Sequence, residues 1–135
     1  MQTKTITQTI TFPASPREVY DALLDSKKHS AIIGDKAVVS NKLNGKFSVW
    51  SDFITGRNTK LVKDKKIVQS WNADMEDWPK THDSIVTFEF QKTKTGTRLV
   101  FTHHNIPSRC VASISKGWTD YYWKPMKKYF ETAKY

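Results

Sequence analysis

The residues that most often carry metal or nucleophilic chemistry are few in this chain, which has four histidines and one cysteine. His103 and His104 are adjacent in a segment that alternates like a β-strand, so their side chains point to opposite faces and do not share a metal ion. His29, His82 and Cys110 are scattered, without the spacing of a zinc site. The sequence therefore predicts no metal centre and no cofactor. The strand histidine that faces inward is more often a hydrogen-bonded core residue than a ligand contact.

The acidic residues form no catalytic arrangement either. Asp74, Glu76 and Asp77 cluster in a short polar segment that is typical of a solvated turn. Glu89 stands between two phenylalanines of a strand pattern and faces away from them. Covalent catalysis needs a nucleophile, a base and an orienting group within reach of one another, and the sequence around Cys110 matches no such arrangement. We expect no enzyme activity.

The segment GWTDYYWKPMKKYF, residues 117–130, is dense in aromatic side chains. Its apolar residues recur at helical spacing and form one stripe, whereas most lysines fall elsewhere on the helix. Pro125 lies inside this helix, removes one backbone hydrogen bond and is expected to bend it. Trp123 lies off the stripe and is either a partner contact or a packed edge residue. The predicted stripe consists of Trp118, Tyr121, Tyr122, Pro125, Met126, Tyr129, Phe130 and Ala133.

The N-terminal part of the chain predicts one strand and two short helices. Residues 6–12 alternate apolar side chains with threonines, as in a strand with one buried face. Ser15, Pro16 and Glu18 combine an N-cap, a first-turn proline and a capping box, and together they start a helix. A second short helix over KKHSAII is expected to end at Gly34.

From residue 35 to residue 106 the pattern is that of an antiparallel meander. Asn44-Gly45 is a strong hairpin signal, and polar turns follow at Asp64-Lys65 and Thr95-Gly96. Such a sheet needs one face covered, and the C-terminal helix is the only element large enough to do so. This predicts an α+β fold in which six to seven antiparallel strands curve around the long C-terminal helix. The predicted strands after the first are KAVVSNK, GKFSVWSDFI, RNTKLVK, KIVQSWNA, DSIVTFEFQ and TRLVFTHHNI.

Composition is that of one globular domain over residues 1–135, with 38% hydrophobic and 13% aromatic residues. The formal net charge of +9, from 22 basic and 13 acidic residues, favours anionic partners. A single cysteine excludes an internal disulfide framework and suits a reducing compartment. No segment has the pattern of a signal peptide or a membrane span. We therefore expect a cytoplasmic protein.

Taken together, the segments resemble a known family. They follow the order of the START-like, helix-grip superfamily and, more narrowly, of the domain at the C terminus of the activator of heat-shock protein ninety ATPase. The resemblance covers nearly the whole chain. It implies a helix-grip fold, a cavity between sheet and helix and, as a candidate partner, a chaperone of that type; it implies no catalytic residues. The segments that carry it are FPASPREVYDALLD, NGKFSVW, TGRNTKLVKDKKIVQSW, DWPKTHDSIVTFEF, GTRLVFTHHNIP and GWTDYYWKPMKKYF.

One functional hypothesis is a co-chaperone-like module that docks on an acidic protein through its basic surface. Specific nucleic-acid binding is not expected, because the basic residues are spread out and the aromatic residues follow core patterns rather than lining a basic groove. A membrane-bound amphipathic helix would leave the apolar face of the sheet uncovered. The residues expected at the partner surface are Trp123, Lys124, Lys127 and Lys128.

The alternative hypothesis is a carrier or sensor of a small hydrophobic ligand held between the sheet and the C-terminal helix. The hydroxyl of Tyr122 and the indole of Trp71 could each give a hydrogen bond to such a ligand. Large side chains could equally fill the space and leave a dry core. The residues expected to line the cavity are Trp50, Phe53, Trp71, Phe88, Phe101, Trp118, Tyr122 and Met126.

Overall fold

A seven-stranded antiparallel sheet forms the body of the computed structural model, which describes residues 1–132. Ala133, the last residue of the predicted apolar stripe, lies outside the described residues. The strand order is β1-β7-β6-β5-β4-β3-β2, so the strands after the first form the predicted meander. The strands are β1 (Thr3–Phe12), β2 (Ala37–Val39), β3 (Lys46–Val49), β4 (Ile54–Val62), β5 (Lys66–Ala73), β6 (Ser84–Lys92) and β7 (Thr97–Pro107).

One face of the sheet is buried and the other faces solvent, as the alternation of side chains requires. In β5 every second residue from Ile67 to Ala73 is buried. In the neighbouring strands Phe88 lies directly opposite Phe101, and their ring centroids are 5.3 Å apart. Glu89 is exposed on the other face. The predicted fold class and the predicted strand faces are therefore confirmed.

Two short helices follow β1, as expected. Helix α1 (Pro16–Leu23) begins with a complete capping box, in which the Ser15 hydroxyl accepts from the Glu18 N–H and the Glu18 carboxylate accepts from the Ser15 N–H. Helix α2 (Ser26–Ile33) ends at Gly34, whose φ of 70° is in the left-handed region that glycine adopts without penalty.

The C-terminal helix has three contiguous parts, which follow a short 3-10 turn at Ser108–Cys110. They are α3 (Val111–Trp118), a π turn (Thr119–Trp123) and α4 (Lys124–Thr132). In the π turn the Lys124 N–H donates to the Thr119 carbonyl, five residues back. The irregularity expected at Pro125 thus takes the form of a wider turn immediately before it.

The π turn changes which side chains face the sheet. Trp123, five residues after Trp118, is buried, and the two indoles stack with centroids 5.4 Å apart and an interplanar angle of 18°. In a regular α-helix, residues five apart would point in clearly different directions. Tyr121, by contrast, is 61% exposed. The expectations that Tyr121 belongs to the buried stripe and that Trp123 belongs to an exposed partner surface are therefore wrong.

The connection between β3 and β4 also differs from expectation. The segment GKFSVWSDFI was predicted as one strand, but β3 ends at Val49 and β4 begins at Ile54. Between them, Trp50, Ser51 and Asp52 have φ values of 52°, 55° and 67°. Three consecutive non-glycine residues in the left-handed region form a tight turn that no glycine or proline announces in the sequence.

Candidate functional site

A cavity of about 440 Å³ opens between the β3–β4 turn and the first half of the C-terminal helix. Its volume falls in the range of pockets that hold small molecules. The Trp50 ring packs edge-on against Tyr121 and Tyr122, with centroid distances of 5.9 and 5.8 Å. The cavity is lined by Trp50, Phe53, Ile54, Trp71, Met75, Ser113, Ile114, Gly117, Trp118, Tyr121 and Tyr122.

Five of the eight residues expected to line a cavity lie around it: Trp50, Phe53, Trp71, Trp118 and Tyr122. The other three, Phe88, Phe101 and Met126, do not line it. They are almost fully buried side chains in the core farther along the sheet and helix. Periodicity identifies the face on which a residue lies, but it does not show where along the element a cavity opens. The lining residues that sequence reasoning missed are Ile54, Met75, Ser113, Ile114, Gly117 and Tyr121.

Behind the cavity wall, a chain of hydrogen bonds fixes the ring of His103, which is fully buried. The Trp118 indole N–H donates to His103 Nδ1 over 2.9 Å. Because an indole can only donate, Nδ1 is the acceptor and the proton of the neutral imidazole is on Nε2. His103 Nε2 then donates to Ser84 Oγ over 2.7 Å, and the Ser84 hydroxyl donates to the Trp71 carbonyl over 3.2 Å. Two lining residues, Trp71 and Trp118, are thereby held in place.

The environment keeps His103 uncharged. Burial and, to a smaller extent, the neighbouring His104 together lower the pKa of its imidazole from the ordinary value near 6.5 to about 3. In the neutral state both ring nitrogens of His103 are hydrogen-bonded. The inward-facing strand histidine is thus a hydrogen-bonded core residue, as expected. Protonation would place a second donor opposite the Trp118 N–H and break that bond.

A second buried histidine connects helix α2 to the cavity wall. His29 Nδ1 donates to the Leu23 carbonyl over 3.0 Å, which leaves Nε2 to accept from the Tyr122 hydroxyl over 2.8 Å. Burial lowers the pKa of His29, against the opposing effect of the bond to Leu23, and burial raises the pKa of Tyr122. The Tyr122 hydroxyl therefore already has a partner, whereas it was expected to be offered to a ligand.

The indole N–H of Trp71 differs from that of Trp118. Among residues 1–132 it has no hydrogen-bond acceptor. Trp71 is 7% exposed and lines the cavity, so its indole is an unpartnered donor of a lining residue.

Two features of the wall restrict what the cavity can accept. None of the described residues that line it carries a charged side chain, although the chain has 22 lysines and arginines. Gly117 lies inside helix α3, where glycine destabilises a helix by about 0.5–1 kcal/mol relative to alanine. A Cβ built there meets only Tyr121 Cδ2, at 3.9 Å, so the helix backbone itself is part of the open wall.

The lysines expected at a partner surface are exposed. Lys127 and Lys128 point away from the core, and Lys124 Nζ lies 3.3 Å from a carboxylate oxygen of Asp120. Trp123, which was grouped with them, instead donates its indole N–H to Gln8 Oε1 of β1 over 2.7 Å. It attaches the helix to the edge strand of the sheet and is not available to a partner.

Other chemistry finds little support in the described part of the chain. Residues 1–132 contain no group of three or more His, Cys, Asp or Glu side chains arranged to hold a metal ion. Cys110 is buried, with its Sγ 3.7 Å from the Glu76 carbonyl, and burial followed by the charge of Asp77 raises the pKa of its thiol. This is the opposite of what a reactive thiolate needs. No helix within residues 1–132 is long and apolar enough to span a membrane.

Comparison with known proteins identifies relatives over almost the whole chain. A family model described as "Activator of Hsp90 ATPase homolog 1-like protein" matches residues 13–131. The human activator of 90 kDa heat shock protein ATPase homolog 1 is 29% identical over 93% of this chain. The Dictyostelium discoideum homolog of that activator is 33% identical over 86% of it. The chain spans only 36% and 30% of the lengths of these two curated relatives.

Solved structures give the same grouping. The crystal structure of an HSP90 activator from Plasmodium falciparum superposes with a TM-score of 0.80 at 30% identity, covering 87% of this chain and 89% of that one. The solution structure of the Aha1 dimer from Colwellia psychrerythraea superposes with a TM-score of 0.80 over 98% of this chain and 99% of that one. At 19% identity the second match shows a shared fold and no more.

Proposed function

This chain belongs to the family of activator of Hsp90 ATPase homolog 1-like proteins, and we propose that it is a non-enzymatic, co-chaperone-like regulator of an Hsp90-type chaperone. One observation carries the proposal: the 30% identity to an HSP90 activator, of whose crystallised chain this chain covers 89%. A cytoplasmic location, as expected from the single cysteine, is part of this proposal.

The test is the ATPase rate of the Hsp90-type chaperone of the source organism, measured while this protein is titrated in. A saturable rise, abolished by a specific inhibitor of the chaperone, is the expected result. The inhibitor separates chaperone turnover from contaminating ATPases. An unchanged rate, at concentrations where circular dichroism shows a folded domain, would overturn the proposal.

A second candidate function is favoured by the cavity itself: binding of an uncharged aromatic or otherwise flat hydrophobic molecule. Six of the eleven lining residues are aromatic, and the Trp71 N–H, which has no acceptor within residues 1–132, would be the donor that orients a guest. An anionic guest such as a fatty acid would find no cation in this wall to offset the desolvation of its carboxylate. The helix-interior glycine leaves room that an alanine would reduce.

Two related fluorescent probes test this candidate, because they differ mainly by one charge. N-phenyl-1-naphthylamine is uncharged, whereas 8-anilino-1-naphthalenesulfonate carries a sulfonate. We expect saturable binding of the uncharged probe and much weaker binding of the sulfonate. Gly117→Leu, which fills the cavity, should abolish binding, and Gly117→Ala is the matched control that keeps most of the volume. Equal binding of both probes, or no effect of Gly117→Leu, would count against the cavity as the site.

A further inference from the structure

The tips of two neighbouring hairpins concentrate the positive charge of the chain. Here the hairpin-tip surface means residues 60–66 at the β4–β5 turn and residues 89–98 at the β6–β7 turn. Its seven cations and two carboxylates give a net charge of +5, against +9 for the whole chain. The cations are Lys60, Lys63, Lys65, Lys66, Lys92, Lys94 and Arg98; all are exposed except Lys66, which is half-buried.

Strand pairing makes the two tips one surface. Lys66 lies opposite Glu89 in the ladder between β5 and β6, and the Phe90 N–H donates to the Lys65 carbonyl over 2.9 Å. On the other side, Arg98 lies opposite Gln91 in the ladder between β6 and β7. The cations of both hairpins therefore lie at the same end of the sheet, on neighbouring strands.

The charge of this surface is not neutralised within the described residues. None of its seven cations has a carboxylate oxygen within 4.0 Å among residues 1–132. Its most buried carboxylate, Asp64, has one oxygen enclosed without a partner. Asp64 also lies close enough to Tyr20 of α1 to raise the pKa of that phenol, in addition to the larger effect of burial. Asp64 thus acts towards the interior, and the cations are left facing solvent.

The lysines of the C-terminal helix form a surface with a smaller net positive charge than the hairpin-tip surface. Between residues 119 and 131 the cations Lys124, Lys127 and Lys128 are accompanied by Asp120 and Glu131, which leaves a net charge of +1. One of the three is already in an ion pair. A partner that recognises positive charge therefore meets a larger net positive charge at the hairpin tips.

The surroundings of the tips favour an acidic protein segment over a nucleic acid. Single-strand binders place exposed aromatic rings beside their cations so that bases can stack. The only aromatic residue of the hairpin-tip surface, Phe90, is buried, and Val62 is the only exposed large apolar side chain in it within the described residues. The hairpin-tip surface therefore offers positive charges but no exposed aromatic ring on which a base could stack.

We infer that the hairpin-tip surface is where this domain docks on an acidic segment of its protein partner. The inference rests on the proposed function, since it names the surface through which the regulator would engage its chaperone. Docking is electrostatic, so it speeds association and weakens as salt is added.

The experiment measures fluorescence anisotropy of a fluorescein-labelled peptide of ten glutamates. Three double variants, each lowering the net charge equally, are compared: Lys63→Glu/Lys94→Glu at the tips, Lys127→Glu/Lys128→Glu on the helix, and Lys80→Glu/Lys116→Glu outside both surfaces. We expect the tip variant to weaken binding about tenfold, and clearly more than either control. Equal weakening by all three would reduce the effect to net charge and overturn the inference. An equally tight complex with a single-stranded oligonucleotide would also overturn it.

The chaperone assay, run with the same variants, separates this inference from the proposed function. Loss of ATPase stimulation in the tip variant alone supports both. Full stimulation by the tip variant overturns the hairpin-tip inference and leaves the proposed function intact. If the wild-type domain binds the peptide at its tips but does not stimulate the chaperone, the proposed function fails while the assignment of the docking surface stands.

Discussion

The end of the sheet that holds the cavity and the end that holds the hairpin tips use their residues in different ways. At the cavity end, aromatic side chains and two buried histidines form a wall without charge. At the tip end, seven cations lie in two short turns and in the strand ends beside them. Backbone strain also differs: the β3–β4 turn beside the cavity has three consecutive residues with a positive φ, Trp50, Ser51 and Asp52, whereas Asp64 is the one such residue described in the hairpin-tip surface.

This difference shows that the two candidate functions do not compete for the same residues. Strained backbone and buried polar networks persist where the surrounding structure determines them strongly, and they are common at ligand sites. Exposed charges in turns contribute little to folding and remain free for a partner. Substitutions at the cavity end should therefore change the stability of the fold, whereas substitutions at the tip end should change binding to a partner.

The largest expected effect is at the cavity end. Trp118→Ala removes a ring that contacts Trp71, Phe101 and Trp123, and it leaves His103 Nδ1 without a donor. We expect a loss of about 3–5 kcal/mol in the free energy of unfolding, measured by urea denaturation. Trp118→Phe keeps most of the packing and should lose less. A loss below about 1 kcal/mol for the alanine variant would show that the cavity wall is not a structural centre.

Acid should also act through the cavity end. The folded-state pKa of His103, about 3, is below its unfolded value near 6.5, so the unfolded chain binds a proton first as pH falls. Stability is therefore fully present above pH 6.5 and decreases from there towards pH 3. Between pH 7 and pH 5 we expect His103 to account for a loss of about 2 kcal/mol.

Denaturation curves at those two pH values check this expectation, with His103→Gln as the comparison. The variant should lose less stability than the wild type over the same interval. His29, whose pKa is also lowered, should leave part of the pH dependence in place. An identical decrease in wild type and variant would mean that His103 is not the group that titrates.

A smaller effect of opposite sign is expected in the β3–β4 turn. Ser51 has a φ of 55°, a conformation that costs a non-glycine residue about 1 kcal/mol or more. Ser51→Gly should therefore raise the free energy of unfolding by about 0.5–1 kcal/mol. Thr95→Gly, in a tip turn at a residue without positive φ, is the matched control and should be slightly destabilising. If both glycines destabilise equally, the strain assigned to the cavity end is absent.

The smallest effect on stability is expected at the tips. Lys63→Glu/Lys94→Glu should change the free energy of unfolding by no more than about 0.5 kcal/mol, because both side chains are exposed and neither is in an ion pair. Thermal denaturation with and without added salt measures this. A large loss would show that the tip cations support the fold, and the division between the two ends would then fail.

Much of the fold could be predicted because local signals agreed with the tertiary structure. The capping box at Ser15 and Glu18, the left-handed Gly34 and the alternation in β5 and β6 each have a direct physical meaning in the sequence. The family resemblance is confirmed as well. The closeness of the two basic turns could also have been predicted, since consecutive hairpins of a meander lie side by side.

The cavity could be predicted only in part, for two physical reasons. The π turn shifts the helical phase, so an assumed period of 3.6 residues gave the wrong orientation for Tyr121 and Trp123. The β3–β4 turn contains no glycine or proline and is held by tertiary packing, as in the contacts of Trp50 with the helix. Periodicity also cannot tell that Phe88 lies beyond the end of the cavity.

The most direct test of the account is an NMR titration of the ¹⁵N-labelled domain with the Hsp90-type chaperone of its source organism. The account predicts that amide signals of residues 60–66 and 89–98 shift or broaden first, whereas those of residues 50–53 and 113–122 around the cavity change little. Changes concentrated at the cavity rim or on the helix lysines would contradict it. An unchanged spectrum at saturating chaperone would contradict the docking itself.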